Sequence, residues 1–173
     1  MTTVPSVHYN VAQAVADALV GYFNNEDVHA FIKSSFSDYI SEDYIVVDGH
    51  DSTIVHFPHI IIESTGEDDD RTAVGVITQT QSFNIIPEVR RTGHVESEKV
   101  IRAFASAVKQ ALYHMINLDV TIGNQTYTTW DINKPGSVQY GYRQAKTLRA
   151  ALIPWSLKID VPLSALYVDG NNI

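Results

Sequence analysis

The chain has 173 residues, a length that fits one domain, with 12 basic against 20 acidic side chains, a net charge of -8 and no cysteine. Apolar residues make up 45 % and charged residues 18 %, the balance of a globular chain able to bury roughly 70 % of its unfolded surface. These figures exclude disulfides, thiolate catalysis and cysteine-ligated zinc. They argue against disorder along the whole chain, and Arg90-Arg91 is the one adjacent basic pair, so no basic patch for gripping DNA is visible.

No apolar run approaches the ~20 residues of a membrane span. Residues 1–10 lack the basic region and apolar core of a secretory signal. The expectation is a protein folded in a cytoplasm, with no membrane partner.

The first helix is predicted over about residues 11–24. Asn10 is its N-cap, Gln13 completes a capping-box-like pair, and Val11, Val15, Ala18, Leu19, Tyr22 and Phe23 fall at helical spacing. Asn24-Asn25 is the stop. Residues 28–44 are ambiguous: Phe31, Ile32, Phe36, Tyr39 and Ile40 fit a helix, while the serines and β-formers fit a loop with a short strand. Tyr44-Ile45-Val46-Val47 reads as a strand and Asp48-Gly49 as a turn. The next strand runs over 53–63, broken at Pro58, because proline cannot donate to a ladder.

Glu67-Asp68-Asp69-Asp70 reads as an acidic tip joining that strand to a second one over 72–86. Within the second strand Thr78-Gln79-Thr80-Gln81-Ser82 is polar on both faces. Such a strand is expected to project from its own domain and meet a partner. A second helix follows over 97–116. Ile101, Phe104, Val108, Ala111, Leu112 and Met115 form its core stripe, opposite Lys99, Arg102, Lys109 and Gln110. Residues 120–122 and 125–132 flank Gly123-Asn124, a hairpin signal. Residues 133–136 form a loop and 140–152 suit either strand or helix. Last, Trp155, Leu157, Ile159, Val161 and Leu163 alternate with Ser156, Lys158 and Asp160, the period of a half-buried strand. A polar tail, 169–172, ends the pattern. The fold class expected is α+β, a single domain over 1–173, with a mainly antiparallel sheet packed against two principal helices and a long projecting hairpin.

Catalytic signals are sparse. His50, Asp51, His56 and His59 are near one another in sequence and form the candidate set for a small metal-dependent enzyme. On one strand, however, His56 and His59 point to opposite faces unless Pro58 bulges the chain. His94 and Glu96 resemble an acid/base pair, but a helix dipole alone favours an acid there. The spacing of an EF-hand is absent. No nucleophile elbow, phosphate loop, dinucleotide fingerprint or zinc-protease motif occurs. No catalytic residue and no cofactor is expected. Nine tyrosines, among them Tyr127, Tyr140 and Tyr142, give the composition of an interface.

The order of a leading helix, a Pro-initiated apolar strand (57–63), a long second strand (72–86), an amphipathic helix (97–116) and closing strands ending in Trp155-Ser156-Leu157-Lys158-Ile159 resembles the tail terminator proteins of long-tailed bacteriophages. The resemblance spans about residues 10–163 and is one of pattern, since that family has no catalytic signature. It implies a structural virion protein at the tail–neck junction, assembled in the host cytoplasm. It implies a hexameric ring capping the tail tube, with partners in itself, the tail tube protein and the head–tail connector or neck protein. DNA passes transiently through such a ring without specific binding. On that reading Glu67, Asp68, Asp69 and Asp70 are candidates for the lumen, and Thr78, Gln79, Thr80, Gln81, Tyr140 and Tyr142 for the subunit interface. Another neck or head-completion component of a phage is the neighbouring alternative.

Overall fold

The computed structural model describes residues 10–49, 56–90, 94–143 and 147–162. In chain order these form α1 (Val11–Phe23), α2 (Glu26–Ser34), β1 (Ile45–Asp48), β2 (His59–Ala73), β3 (Val76–Arg90), α3 (His94–His114), β4 (Asp119–Ile122), β5 (Gln125–Thr128), β6 (Gln139–Arg143) and β7 (Leu148–Pro162). One sheet has the strand order β1-β2-β3-β7-β6, and β4 and β5 form a separate two-stranded sheet. Among the described residues only β1 runs parallel to its neighbour, and every other pair is antiparallel. The α+β class therefore holds, with a third helix in the stretch whose periodicity was ambiguous. Among the described residues no helix is long and apolar enough to cross a membrane.

Local chemistry explains where the helices start. Asn10 accepts the Gln13 backbone N–H at 3.0 Å, the N-cap bond. The reciprocal half of a capping box is replaced: Gln13 Nε2 donates to Asp17 at 3.0 Å and also to Asp48, which ties α1 to the end of β1. The Asn24-Asn25 pair divides two jobs. Asn24 closes α1, and Asn25 caps α2 by accepting from the Asp27 N–H at 3.1 Å. Glu26 and Asp27 in the first turn of α2 and Lys33 in its last complement the helix dipole.

The sheet is organised by β3, which pairs with β2 from Val76 to Glu88 and with β7 from Val76 to Arg90. The β3–β7 ladder skips from Ile85↔Ile153 to Glu88↔Ala150, around Pro87, which has no N–H to give. In β2 the register shifts between Ser64 and Gly66, a one-residue bulge at Thr65. β2 turns into β3 at Val74-Gly75, where Gly75 takes φ +81°, a conformation open to glycine. The expected projecting hairpin is thus a three-stranded blade, because β7 follows β3 outward to Val76↔Pro162. The expected strand residues 53–55, Leu163 and the tail 169–172 lie outside the described residues.

The main core joins α1 (Val15, Leu19, Phe23), α3 (Ile101, Phe104, Val108, Leu112), β4 (Val120, Ile122) and one face of the large sheet (Ile60, Ile62, Phe83, Ile85, Ile153, Trp155). The other sheet face holds a small separate cluster of Ile61, Ile86 and Ala150, flanked by Leu152. At the centre the Phe104 ring meets Phe36 edge-on at 4.9 Å and lies 5.9 Å from Tyr44. The Tyr44 hydroxyl donates to the Phe23 carbonyl at 2.6 Å, and the Tyr22 hydroxyl donates to the Ala111 carbonyl at 2.6 Å, linking α1 to α3.

Phe104→Ala is expected to cost about 3–5 kcal/mol by denaturant unfolding, the range for a buried Phe that leaves a cavity; an unchanged midpoint would show that this face of α3 packs elsewhere. Burial holds the Tyr44 hydroxyl above its ordinary value of 10.0. The folded state therefore keeps the proton that the unfolded state releases, so this contribution is complete below pH 10 and declines as pH rises further. Tyr44→Phe is expected to lose about 1 kcal/mol at neutral pH and to flatten the alkaline decline, both read from melting curves between pH 7 and pH 11.

Candidate functional site

The blade carries the acidic and amide residues. The Thr65 bulge sets their faces: beyond it Glu67 and Asp69 oppose Gln81 and Gln79, while Asp68 and Asp70 oppose Thr80 and Thr78. The four acids are exposed, but they lie along β2 and not at the tip, which is Val74-Gly75. This corrects the expected acidic tip: a run of acids is compatible with a strand when that strand is an edge facing water. β1 pairs with β2 only from His59 to Ile62, so among the described residues the outer side of 63–73 has no strand beside it. Charges there protect an open edge from indiscriminate pairing.

Thr78, Gln79, Thr80 and Gln81 are placed differently from the expectation that they are left for a neighbour. Thr78 is 4 % exposed, Gln79 5 % and Gln81 0 %. Gln81 Nε2 donates to Glu67 at 2.7 Å and to Gln79 Oε1 at 3.2 Å, and Gln79 Nε2 donates to Glu67 at 3.3 Å. Thr78 Oγ1 donates to Asp160 at 2.6 Å. A polar strand is accommodated between two others when its amides bond each other and a carboxylate. Alternation on β7, with Leu157, Ile159 and Val161 fully buried, supplies the apolar surroundings.

Tyr140 and Tyr142 fall on β6, the far edge of the sheet, and are 43 % and 36 % exposed. The structure brings these two together but sets them apart from 78–81: β6 pairs with the Leu148–Leu152 part of β7, whereas 78–81 pair with 157–160. The Arg149 guanidinium lies 4.4 Å from the centre of the Tyr142 ring and pairs with Glu98 of α3, which also meets Arg102 at 3.5 Å.

The metal-enzyme alternative divides. His50 and Asp51 lie outside the described residues, as does the side chain of His94. His56 Nε2 engages the Asp43 carbonyl at 2.8 Å. His59 faces the His56 carbonyl through Nδ1 at 3.0 Å and Glu88 through Nε2 at 2.9 Å. Both ring nitrogens of His59 thus meet protein oxygens. Among the described residues no group of three or more His, Asp or Glu is placed to hold a metal. A concavity of about 620 Å³ on the sheet face away from the helices has Lys134 as its one charged lining residue among the described residues.

Sequence reasoning missed Glu88. Its carboxylate takes His59 of β2 on one oxygen and Arg143 of β6, at 2.8 Å, on the other. His59 and Glu88 side chains are each 3 % exposed. A single acid inside Ile85-Ile86-Pro87-Glu88-Val89 is the available signal; its partners, 29 and 55 residues away, leave none.

With this geometry in view the fold can be compared with known proteins. No protein-family model and no curated protein matches the sequence. A chain of a solved structure, described as the virion of a native gene transfer agent particle, is similar in fold, with a TM-score of 0.53 and 14 % identity. The likeness is one of fold. It covers 88 % of this chain and 99 % of that chain.

Glu88 is the shared partner of His59 and Arg143, so removing it strands both. Glu88→Leu is expected to cost about 3–5 kcal/mol in urea unfolding, and the double change His59→Leu with Glu88→Leu to recover part of the loss. A Glu88→Leu chain as stable as the parent would show that the bracket carries no net stability.

Proposed function

We propose that the chain is a structural protein of a phage-like virion, and within it a tail terminator whose copies form a ring that closes the tail tube and joins it to the head connector. The observation that carries the reading is the extent of the fold likeness: 99 % of the virion-particle chain is covered, so the match is to an entire subunit and not to a shared fragment. The net charge of -8 supports it in a second way. An acidic ring repels phosphate and lets DNA pass without holding it.

The proposed partners are further copies of the chain, the tail tube protein and the connector, with the virion tail–neck junction as the location. Tyr140 and Tyr142, exposed on an edge strand, suit a surface between proteins. In a ring the acids Glu67–Asp70 have two destinations, the channel wall or the seam between neighbouring copies. Another neck or head-completion component draws on the same fold likeness and differs in where it sits on the particle.

Negative-stain imaging of the purified protein, together with particles assembled without it, tests the reading. Rings with a central hole, and heads left separate from tails when the protein is missing, are the expected results. Normal joined particles in its absence would overturn the terminator role. A label on this chain found on the head side of the connector would assign it to head completion instead.

A further inference from the structure

We propose that the outer face of α3 is the seat for the β2–β3 blade of a second copy of this chain, a contact that repeats around the ring and rests on the ring reading for that repetition. The inner face of α3 is spent on the core through Ile101, Phe104, Val108 and Leu112. Its outer face sets Lys99, Arg102, Ser106, Lys109 and Tyr113 in one row, at alternating spacings of three and four residues. This row is basic on a chain of net charge -8. Lys99 has no ion pair among the described residues, and the Arg102 side chain is 68 % exposed. Glu98 is shared between Arg149 and, at 3.5 Å, Arg102 of this row, and Glu96 stands at the N-terminal end of the row.

The complement is on the same molecule, at the other end of the sheet. Asp68, Asp69 and Asp70 are exposed and without ion pairs among the described residues. From Asp68 to Asp70 the acids extend about 7 Å at the strand rise, with Asp68 and Asp70 on one face of this open edge and Asp69 on the other, and Lys99 to Lys109 spans about 15 Å at the helix rise. Side chains of lysine and arginine length cover that difference.

A second correspondence is apolar. Val74 at the blade tip is 99 % exposed and Ile116, just past α3, is 90 % exposed; among the described large hydrophobics these two are the most exposed. Asp68 to Val74 measures about 20 Å along the strand, and Arg102 to Ile116 about 20 Å along the helix direction. One placement therefore matches charge to charge and apolar tip to apolar end. It lays the tip toward the C-terminus of α3 and the acids nearer its N-terminal half, the end of the dipole that favours them. The two patches differ, so the contact is heterologous: each copy offers its blade to one neighbour and its helix to the other.

Charge reversal on the full chain tests this. One variant carries Asp68→Lys, Asp69→Lys and Asp70→Lys; the other carries Lys99→Glu, Arg102→Glu and Lys109→Glu. Each is checked for folding by circular dichroism and weighed by sedimentation. The parent is expected to associate and to dissociate as salt rises from 0.1 to 1 M, where the Debye length falls from about 10 to about 3 Å. Each variant alone is expected to be monomeric. Their equimolar mixture is expected to reassemble, because every blade then finds a helix of opposite charge.

The absence of cysteine permits a second measurement that leaves the charges alone. A Val74→Cys chain mixed with an Ile116→Cys chain is expected to form a disulfide between copies at least tenfold faster than either chain alone. Variants that assemble like the parent, folded variants whose mixture stays monomeric, or no preference in the cysteine mixture would overturn the seam. Rings that survive both charge reversals would leave the ring standing and return the acids to the channel wall. A parent chain monomeric at every concentration would overturn the seam, while the imaging of particles still decides the ring.

Discussion

The structure depends on the requirement that β3 be paired on both edges. A strand of 15 residues in the middle of a sheet presents its N–H and C=O groups alternately to left and right, and each must find a partner. β2 and β7, also 15 residues each, provide them. The three strands together form one plank. The main core buries its inner face out to Val161 on β7, while β2 continues beside β3 as an exposed acidic edge. Even the exception follows the rule, since the gap in the β3–β7 ladder falls at Pro87, the residue with no donor.

That plank explains why parts of the fold were legible in the sequence. The Asn10 cap and the stripe through Phe104 act within a few residues, as does the alternation from Trp155 to Val161, and local signals of this kind survive without tertiary context. The helix at 26–34 was harder because Asn25, its cap, also reads as the stop of the preceding helix. The acids of β2 resemble a turn by composition alone. The open outer side of 63–73 among the described residues, a fact of sheet order, makes a strand of acids reasonable.

The amides and the buried acid lay beyond local reading. Gln79 and Gln81 look two-sided and solvent-bound, yet both donate their amide N–H groups to Glu67, which the β2–β3 register places opposite Gln81, while the buried Gln81 Oε1 has no partner among the described residues. Glu88 looks like an isolated defect in an apolar run until β2 and β6 bring His59 and Arg143 to it. In both places a polar residue is accommodated by a partner that only the topology supplies. The exposed tyrosines of β6 were recognised as surface residues, but their separation from the amides by the width of β7 required the strand order.

The bulge at Thr65 has a consequence for how such a chain diverges. Side chains on a strand alternate strictly, so one extra residue acts as a phase shift for everything outward of it. Inboard of Thr65 the pattern is held by the core, with Ile60 and Ile62 fully buried. Outboard of it the bulge has taken up the extra residue, so Gly66 meets Ser82 and Glu67 meets Gln81; deleting Thr65 would leave those pairs, and with them the faces of all four acids, as they are. Two descendants of one ancestor, differing by one codon here, would present the same charge pattern to their surroundings on the same plank. Loss of the one unpaired residue at this position would therefore change what the blade presents less than most substitutions along it.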